Sequence, residues 1–274
     1  MSDDKYAAAL ELLRCLDPDN LSNNLNSIIE LEPDLAVDLL SSVDIPLSTK
    51  TDPKFQNREF LCCDYNRDID SHRSPWSNEY FPELSPEELS ESPFPSPTIR
   101  KLELLANDSM DIYRDLYYEA GVSSVYMWDL DEGSSDFAGV VLFKKGEHSK
   151  NHWDSIHVFE ALEETSYDFK YRITTTIILN LKSEDGLTLS GKLTRQVEKT
   201  ASVRPEKQEI LHIDHITNLG TAIEDIESQM RNLLEIVYFD KSRDIYHLLR
   251  DNTSESQKIN KEKHEDLIKG LQGL

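Results

Sequence analysis

Ile216, Leu219, Ile223, Ile226, Met230, Leu233 and Val237 follow one another at steps of three and four. On a helix this spacing draws one continuous apolar stripe. The pattern loosens beyond it, but Tyr238, Ile245, Leu248 and Leu249 prolong an apolar side, and neither Pro nor Gly interrupts Thr221 to Arg250. The spacing predicts one helix over 214–251, roughly 35 residues and ~50 Å long at ~1.5 Å per residue. A small domain is only ~30 Å across. Part of the stripe is therefore expected to overhang the chain's own core and meet another copy or a different subunit.

Upstream, the period changes to two. Val122–Leu130, Phe137–Lys145, Trp153–Leu162, Tyr167–Leu181 and Leu187–Lys199 are five β-rich runs joined by short polar turns, which predicts an antiparallel meander over 122–213. Ile156 and Val158 alternate with Ser155 and His157, and Leu189, Gly191 and Leu193 with Ser190, Lys192 and Thr194. One sheet face is expected to be dry and the long helix to cover it. An exposed sheet edge would offer unpaired backbone to a second subunit. Thr98 is expected to cap a helix over 99–121 that carries Leu102, Leu105, Ile112, Leu116 and Tyr117 and stops at Gly121.

Residues 1–43 read as three short helices separated at Asp17-Pro18 and Glu32-Pro33. Their faces are Tyr6, Leu10, Leu13 and Leu16, then Leu21, Leu25, Ile28 and Ile29, then Leu35, Leu39 and Leu40. Each stripe is too small to stand alone, so together they predict a compact helical stalk. Over 44–98 regular pattern fades. Pro82, Pro86, Pro93, Pro95 and Pro97 predict an extended crossing segment, its Ser-Pro dipeptides starting turns. Asp64, Asn66 and Asp68 imitate a calcium loop, but Ile69 replaces the required Gly and Pro75 the bidentate Glu, so calcium is rejected. A hydrogen-bonded Asp and Arg network anchored by Trp76 is expected instead.

Composition narrows the function. The formal charge is −23, from 52 acidic and 29 basic residues, which disfavours nucleic acid as a partner. No run of eighteen apolar residues predicts a membrane span and the N-terminus does not read as a signal peptide, so the expected address is the cytoplasm. Cys15, Cys62 and Cys63 lack CxxC spacing and read as reduced thiols. The common phosphate-binding, nucleophile and zincin motifs are absent, and His212 and His215 lack further metal-ligand partners. No enzyme, cofactor or metal is expected. The tail, 252–274, is a polar hinge followed by a small apolar face of Leu267, Ile268, Leu271 and Leu274 beside Lys261, Lys263 and Lys269. It reads as a helix made for another protein's groove, ordered on binding because Gly270 and Gly273 weaken it alone.

Longer strings now become informative: LCCDYNRDID, SPWSN, RKLE, YRDLYYE, GVSSVYMWDL, FAGVV, WDSIHV, LTRQ, NLG, IEDIESQMRN and YFDKSRDI, in this order over nearly all of residues 1–250. Through them the chain resembles the beta-subunit family of F-actin capping protein. The resemblance implies an α+β fold and an obligate heterodimer with a similarly folded alpha subunit, with a joint antiparallel sheet beneath two long helices and a helical stalk. It implies calcium-independent binding to the barbed ends of actin filaments, blocking subunit exchange without severing or catalysis, in cortical actin structures of the cytoplasm. It makes the 216–237 stripe the heterodimer interface, and Leu267, Ile268, Leu271 and Leu274 the actin-facing side chains of a C-terminal tentacle. Arg231, Lys241 and Arg243 become candidate basic contacts to actin. Regulators of capping and acidic phospholipids are further expected partners. The alternative is a scaffold subunit of a larger, dynactin-type or endosomal assembly.

Overall fold

The computed structural model describes residues 2–15, 20–36, 39, 46–119, 121–131, 134–146, 151–165, 167–182, 188–204 and 208–236. The chain divides into two units, Met1–Ile223 and Glu224–Leu274. The first unit holds the sheet. Strands β6 (Val122–Asp129), β7 (Phe137–Gly146), β8 (His152–Thr165), β9 (Asp168–Lys182) and β10 (Thr188–Ser202) form one antiparallel sheet in the order β10-β9-β8-β7-β6. The fold is thus α+β with the expected meander, because each short polar turn lets a strand fold back on its predecessor.

Both sheet faces are covered, not one. On the first face, Val125, Met127, Phe137, Val141, Phe143, Phe159, Tyr171 and Ile173 meet two helices. These are α4 (Pro97–Tyr117), with Ile99, Leu102, Ala106 and Met110, and the start of α5 (Gln208–Leu234), with Leu219, Ala222 and Ile223. Gly139 makes this packing close: a Cβ there would stand 2.6 Å from the Phe159 ring. On the second face, Tyr126, Val140 and Leu142 pack with Leu47 and Leu61, and Ile156 and Val158 are partly buried there.

The expected polarity of β8 is therefore reversed. Ser155 and His157 lie on the helix-covered face and are fully buried. They are tolerated because each is partnered: the Ser155 hydroxyl with the Tyr118 hydroxyl at 2.7 Å, and His157 Nδ1 with Thr175 Oγ1 at 2.8 Å.

The segment expected to be an extended crossing is folded onto the second face. Strands β1 (Ser48–Asp52) and β2 (Arg58–Cys62) form a hairpin, and β3 (Arg67–Asp68), β4 (Ser71–Arg73) and β5 (Tyr80–Phe81) a small three-stranded sheet. Leu47 N donates to Asp154 at 2.8 Å, Leu61 N to Ser124 Oγ at 2.9 Å, and Tyr126 Oη to Leu61 O at 2.7 Å. Asn66 bridges the carbonyls of Leu61 and Arg73. Trp76 is buried, with the Arg58 guanidinium 3.5 Å from the centre of its ring. The anchor and the polar network exist, but hydrogen bonds to single backbone groups, rather than a repeating apolar pattern, hold the segment.

Among the described residues of the stalk, α1 (Ser2–Cys15), α2 (Leu21–Leu31) and a single turn at Pro33–Leu35 bury Ala9, Leu25, Ile28, Leu35 and Leu39, with Tyr6, Leu10, Leu13 and Ile29 packed against them. α3 (Pro86–Glu91) starts with a reciprocal capping box between Ser85 and Glu88.

Two expectations for α4 are corrected. Its cap is Ser96, whose Oγ accepts from Ile99 N, and Pro97 opens the helix where its missing N–H costs nothing. Its core face is Ile99, Leu102, Glu103, Ala106, Asn107 and Met110, whereas Ile112 and Leu116 are 65% and 72% exposed and Leu105 and Tyr117 also face outward. The helix turns Glu103 and Asn107 inward because the adjacent strand needs them.

Candidate protein-binding surface

A five-stranded open sheet has two edges, and here they are treated differently. At the β6 edge, Asn107 Nδ2 donates to Val125 O and Asn107 Oδ1 accepts from Val125 N, both at 2.9 Å. The next outward amide, Met127 N, donates to Glu103 Oε2 at 2.7 Å. Glu103 is fully buried, and its charge is met by both terminal nitrogens of Arg73, at 2.9 and 2.7 Å, and by Arg100. Side chains of α4 thus take the place of a sixth strand, which closes this edge to any other chain.

At the other edge, β10 pairs with β9 alone over fifteen residues, without Pro. Among the described residues no strand lies on its outer side. Lys192, Thr194, Arg195, Gln196 and Glu198 are exposed and Leu193 and Val197 half-buried. On β9 and β10, Arg172 bonds Glu198 at 2.9 Å and Glu160 at 3.1 Å, and Lys170 bonds Glu198 at 2.8 Å. These hydrogen bonds hold the Glu198 carboxyl below its ordinary range. The ladder helps to fix the strand's register against β9.

Helix α5 begins beside this sheet. Asp214 accepts from Arg204 N, Nε and Nη2 at 2.8, 3.1 and 2.7 Å, which pins the strand-to-helix crossing and holds the Asp214 carboxyl below its ordinary range. His215 is a core histidine: Nδ1 is 2.8 Å from the Tyr171 hydroxyl, and its ring stands edge-on to Phe137 and Phe169. The side chain of His212 lies outside the described residues.

The structure divides the apolar stripe. Leu219 and Ile223 are buried in the chain's own core, so little or no apolar area remains on these two for a partner, while Ile216 is half-buried against the same core. In the second unit Ile226 and Met230 are buried, Leu233 is 38% exposed, and Val237 lies outside the described residues. Arg231 is half-buried and paired with Glu227 at 2.6 Å on the same helix. Glu227 is itself fully buried, so part of the Arg231 charge serves its own helix. Lys241, Arg243, Leu267, Ile268, Leu271 and Leu274 lie outside the described residues, as does the predicted helix beyond 236.

Among the described residues no group of three or more His, Cys, Asp or Glu could hold a metal, and no helix is long and apolar enough to cross a membrane. Burial pushes the Cys62 and Cys63 thiols up to about 11 and about 12, which keeps them protonated and unreactive at neutral pH.

The sequence profile of the F-actin capping protein beta subunit matches residues 6–246. The chain belongs to that family. It is 57% identical to the F-actin-capping protein subunit beta of Saccharomyces cerevisiae, with all of both chains covered. It is 60% identical to that of Candida glabrata, over 99% of this chain and all of the relative. Among solved structures, the homodimeric actin capping protein alpha subunit from Plasmodium berghei superposes with a TM-score of 0.53 at 15% identity, covering 92% of this chain and 97% of that one. The likeness is one of fold.

Sequence reasoning missed the closed β6 edge. The signal was present, since Glu103 and Asn107 are polar residues four apart among Ile99, Leu102, Ala106 and Met110 on one helix face.

Proposed function

We propose that this chain is the beta half of a heterodimeric capping protein that binds the barbed ends of actin filaments and blocks subunit exchange there. Family membership over the whole chain carries this reading. The asymmetric sheet supports the pairing. With the β6 edge occupied by Asn107 and Glu103, the β10 edge, beside which no strand lies among the described residues, is the one that an alpha subunit of similar fold extends. Part of the helix stripe serves the chain's own core, and the partner contacts are made by the β10 edge and by what α5 leaves outward.

In this reading the tail residues Leu267, Ile268, Leu271 and Leu274 face actin, with Arg231, Lys241 and Arg243 as basic contacts, and the complex works in cortical actin structures. A chain of charge −23 approaches an acidic target only with its basic groups concentrated or with cations supplied by the alpha subunit. The test is seeded actin elongation with the co-expressed heterodimer. Barbed-end growth is expected to stop at substoichiometric dimer while pointed-end growth continues; undiminished barbed-end growth in the presence of a stable dimer overturns the proposal.

A further inference from the structure

The chain contains four Ser-Pro dipeptides, at Ser74, Ser85, Ser92 and Ser96. In sequence they are equivalent substrates for a proline-directed protein kinase; the fold makes them unequal. Ser74 is fully buried, its hydroxyl donating to Asp52 at 2.6 Å and accepting from Trp76 N. Ser96 caps the 21-residue α4, and Asp129 holds its hydroxyl at 2.7 Å and its amide at 2.8 Å. Freeing Ser74 disturbs a packed core, and freeing Ser96 uncaps α4 and breaks its two bonds to Asp129. Ser85 is exposed, but Pro86 already begins α3, so the residues after it are helical rather than extended.

Ser92 is half-buried and differs in what lies on either side of it. It ends α3 in extended backbone, with φ −68° and ψ 143°, and Pro93-Phe94-Pro95 continue without helix. α3 itself buries no residue. Local opening of such a helix costs little, which is what a kinase needs to draw an acceptor into its cleft. On the other side, the Tyr80 hydroxyl donates to Pro93 O at 2.8 Å, and Tyr80 meets the Phe94 ring edge-on.

We propose that Ser92 is a phosphoacceptor site, and that the phosphate unwinds α3. In the transfer the Ser92 Oγ–P bond forms as the β–γ anhydride bond of ATP breaks; ADP leaves, and the hydroxyl proton passes to the kinase's base. The consequence follows from what Oγ does now. It donates to Glu88 O at 2.9 Å, closing the last turn of α3 together with the Ser92 amide at 3.1 Å. Esterified, Oγ has no proton to donate. It also carries nearly two negative charges at a helix C-terminus, where the carbonyl ends are already negative and Glu88 and Glu91 stand close in sequence. With no buried side chain to offset this, the turn opens.

The test uses the full-length chain co-expressed with an alpha subunit, a proline-directed kinase, ATP, and synthetic peptides spanning each dipeptide as unfolded references. Mass spectrometry follows each serine. In the protein, Ser92 is expected to be labelled within about tenfold of its peptide's rate, and Ser74 and Ser96 more than about a hundredfold below theirs, in line with near-zero local and near-global opening free energies. Ser92→Ala is expected to abolish the fast labelling without changing the melting temperature. Hydrogen exchange of the Leu89 and Ser92 amides is expected to accelerate severalfold after modification. An unreactive Ser92, in the peptide or in the protein alone, overturns the site; labelling of Ser74 or Ser96 as fast as Ser92 overturns the structural sorting; unchanged exchange in α3 overturns the unwinding.

Discussion

Replacing Glu103 with Ala should be among the most damaging single substitutions in this protein, although the residue is acidic in a chain already carrying excess acid. Glu103 is 0% exposed, and Arg73, which meets it with two hydrogen bonds, is 5% exposed. Removing the carboxylate leaves the Arg73 guanidinium buried without a counter-charge, at a cost of about 3–5 kcal/mol. It also orphans Met127 N at the sheet edge, adding about 1–3 kcal/mol. The two together, about 4–8 kcal/mol, approach a whole domain's margin of about 5–15 kcal/mol. With a urea slope of about 3 kcal/mol/M, the unfolding midpoint should fall by about 1–3 M.

The assay is urea unfolding of the co-expressed heterodimer, followed by tryptophan fluorescence. Arg73→Met combined with Glu103→Leu should cost clearly less than the two single changes summed, since no lone charge is then left inside. As a solvent-screened control, Arg172→Ala, which removes ion pairs to Glu160 and Glu198, should cost far less than Glu103→Ala. A loss below about 1 kcal/mol for Glu103→Ala would refute the reasoning, because it would mean that water reaches both Arg73 and the edge amide.

Ile226→Asp or Met230→Asp places a carboxylate at a fully buried position of α5, a cost of several kcal/mol that should abolish soluble heterodimer; Asn232→Asp, on an exposed position, should leave the yield unchanged, and equal yields from all three would show that the stripe is not buried. Asn107→Leu should cost about 1–3 kcal/mol by orphaning Val125 N and O, measured by the same unfolding assay, and a neutral result would mean that water or another chain satisfies that edge. His72 is held neutral by burial and by the Lys50 ammonium donating to Nδ1, which lowers its pKa to about 4 from 6.5. Its folded pKa being depressed, stability is full above about 6.5 and declines as the pH falls toward 4. Between pH 7.5 and 5.5 the half-exposed ring should account for about 0.5–1 kcal/mol of lost stability, and His72→Gln should remove that part of the slope; an identical slope in the variant would rule the histidine out. Deleting Lys261–Leu274 should leave heterodimer yield and melting unchanged while weakening capping by about 1–3 kcal/mol, read from barbed-end elongation; unchanged capping by an intact dimer would show that the tail packs on its own subunit.

Much of this protein is written in local pattern. The period-two runs between Val122 and Ser202 placed all five strands within a few residues of where they lie, because alternation and short turns are properties of neighbouring residues. The first two stalk helices were legible for the same reason, and the long ordered strings carried the family. What local pattern does not contain is which face looks where. The β8 alternation was read with Ile156 and Val158 toward the helices, yet the fold turns Ser155 and His157 there, since Tyr118 and Thr175, distant in sequence, arrive to satisfy them. The apolar residues of α4 marked the wrong face: burying Glu103 and Asn107 is worthwhile only beside an open strand edge and two arginines, and that edge exists only once the sheet has formed. Residues 44–98 looked like a linker because their order comes from side chains meeting single carbonyls and amides far along the chain, which leaves no periodic trace. Apolar periodicity reports how a segment lies against its nearest neighbours; the choice of face, and the choice of which sheet edge is closed by side chains, rests on polar groups satisfied across tens of residues, and only the tertiary structure brings those together.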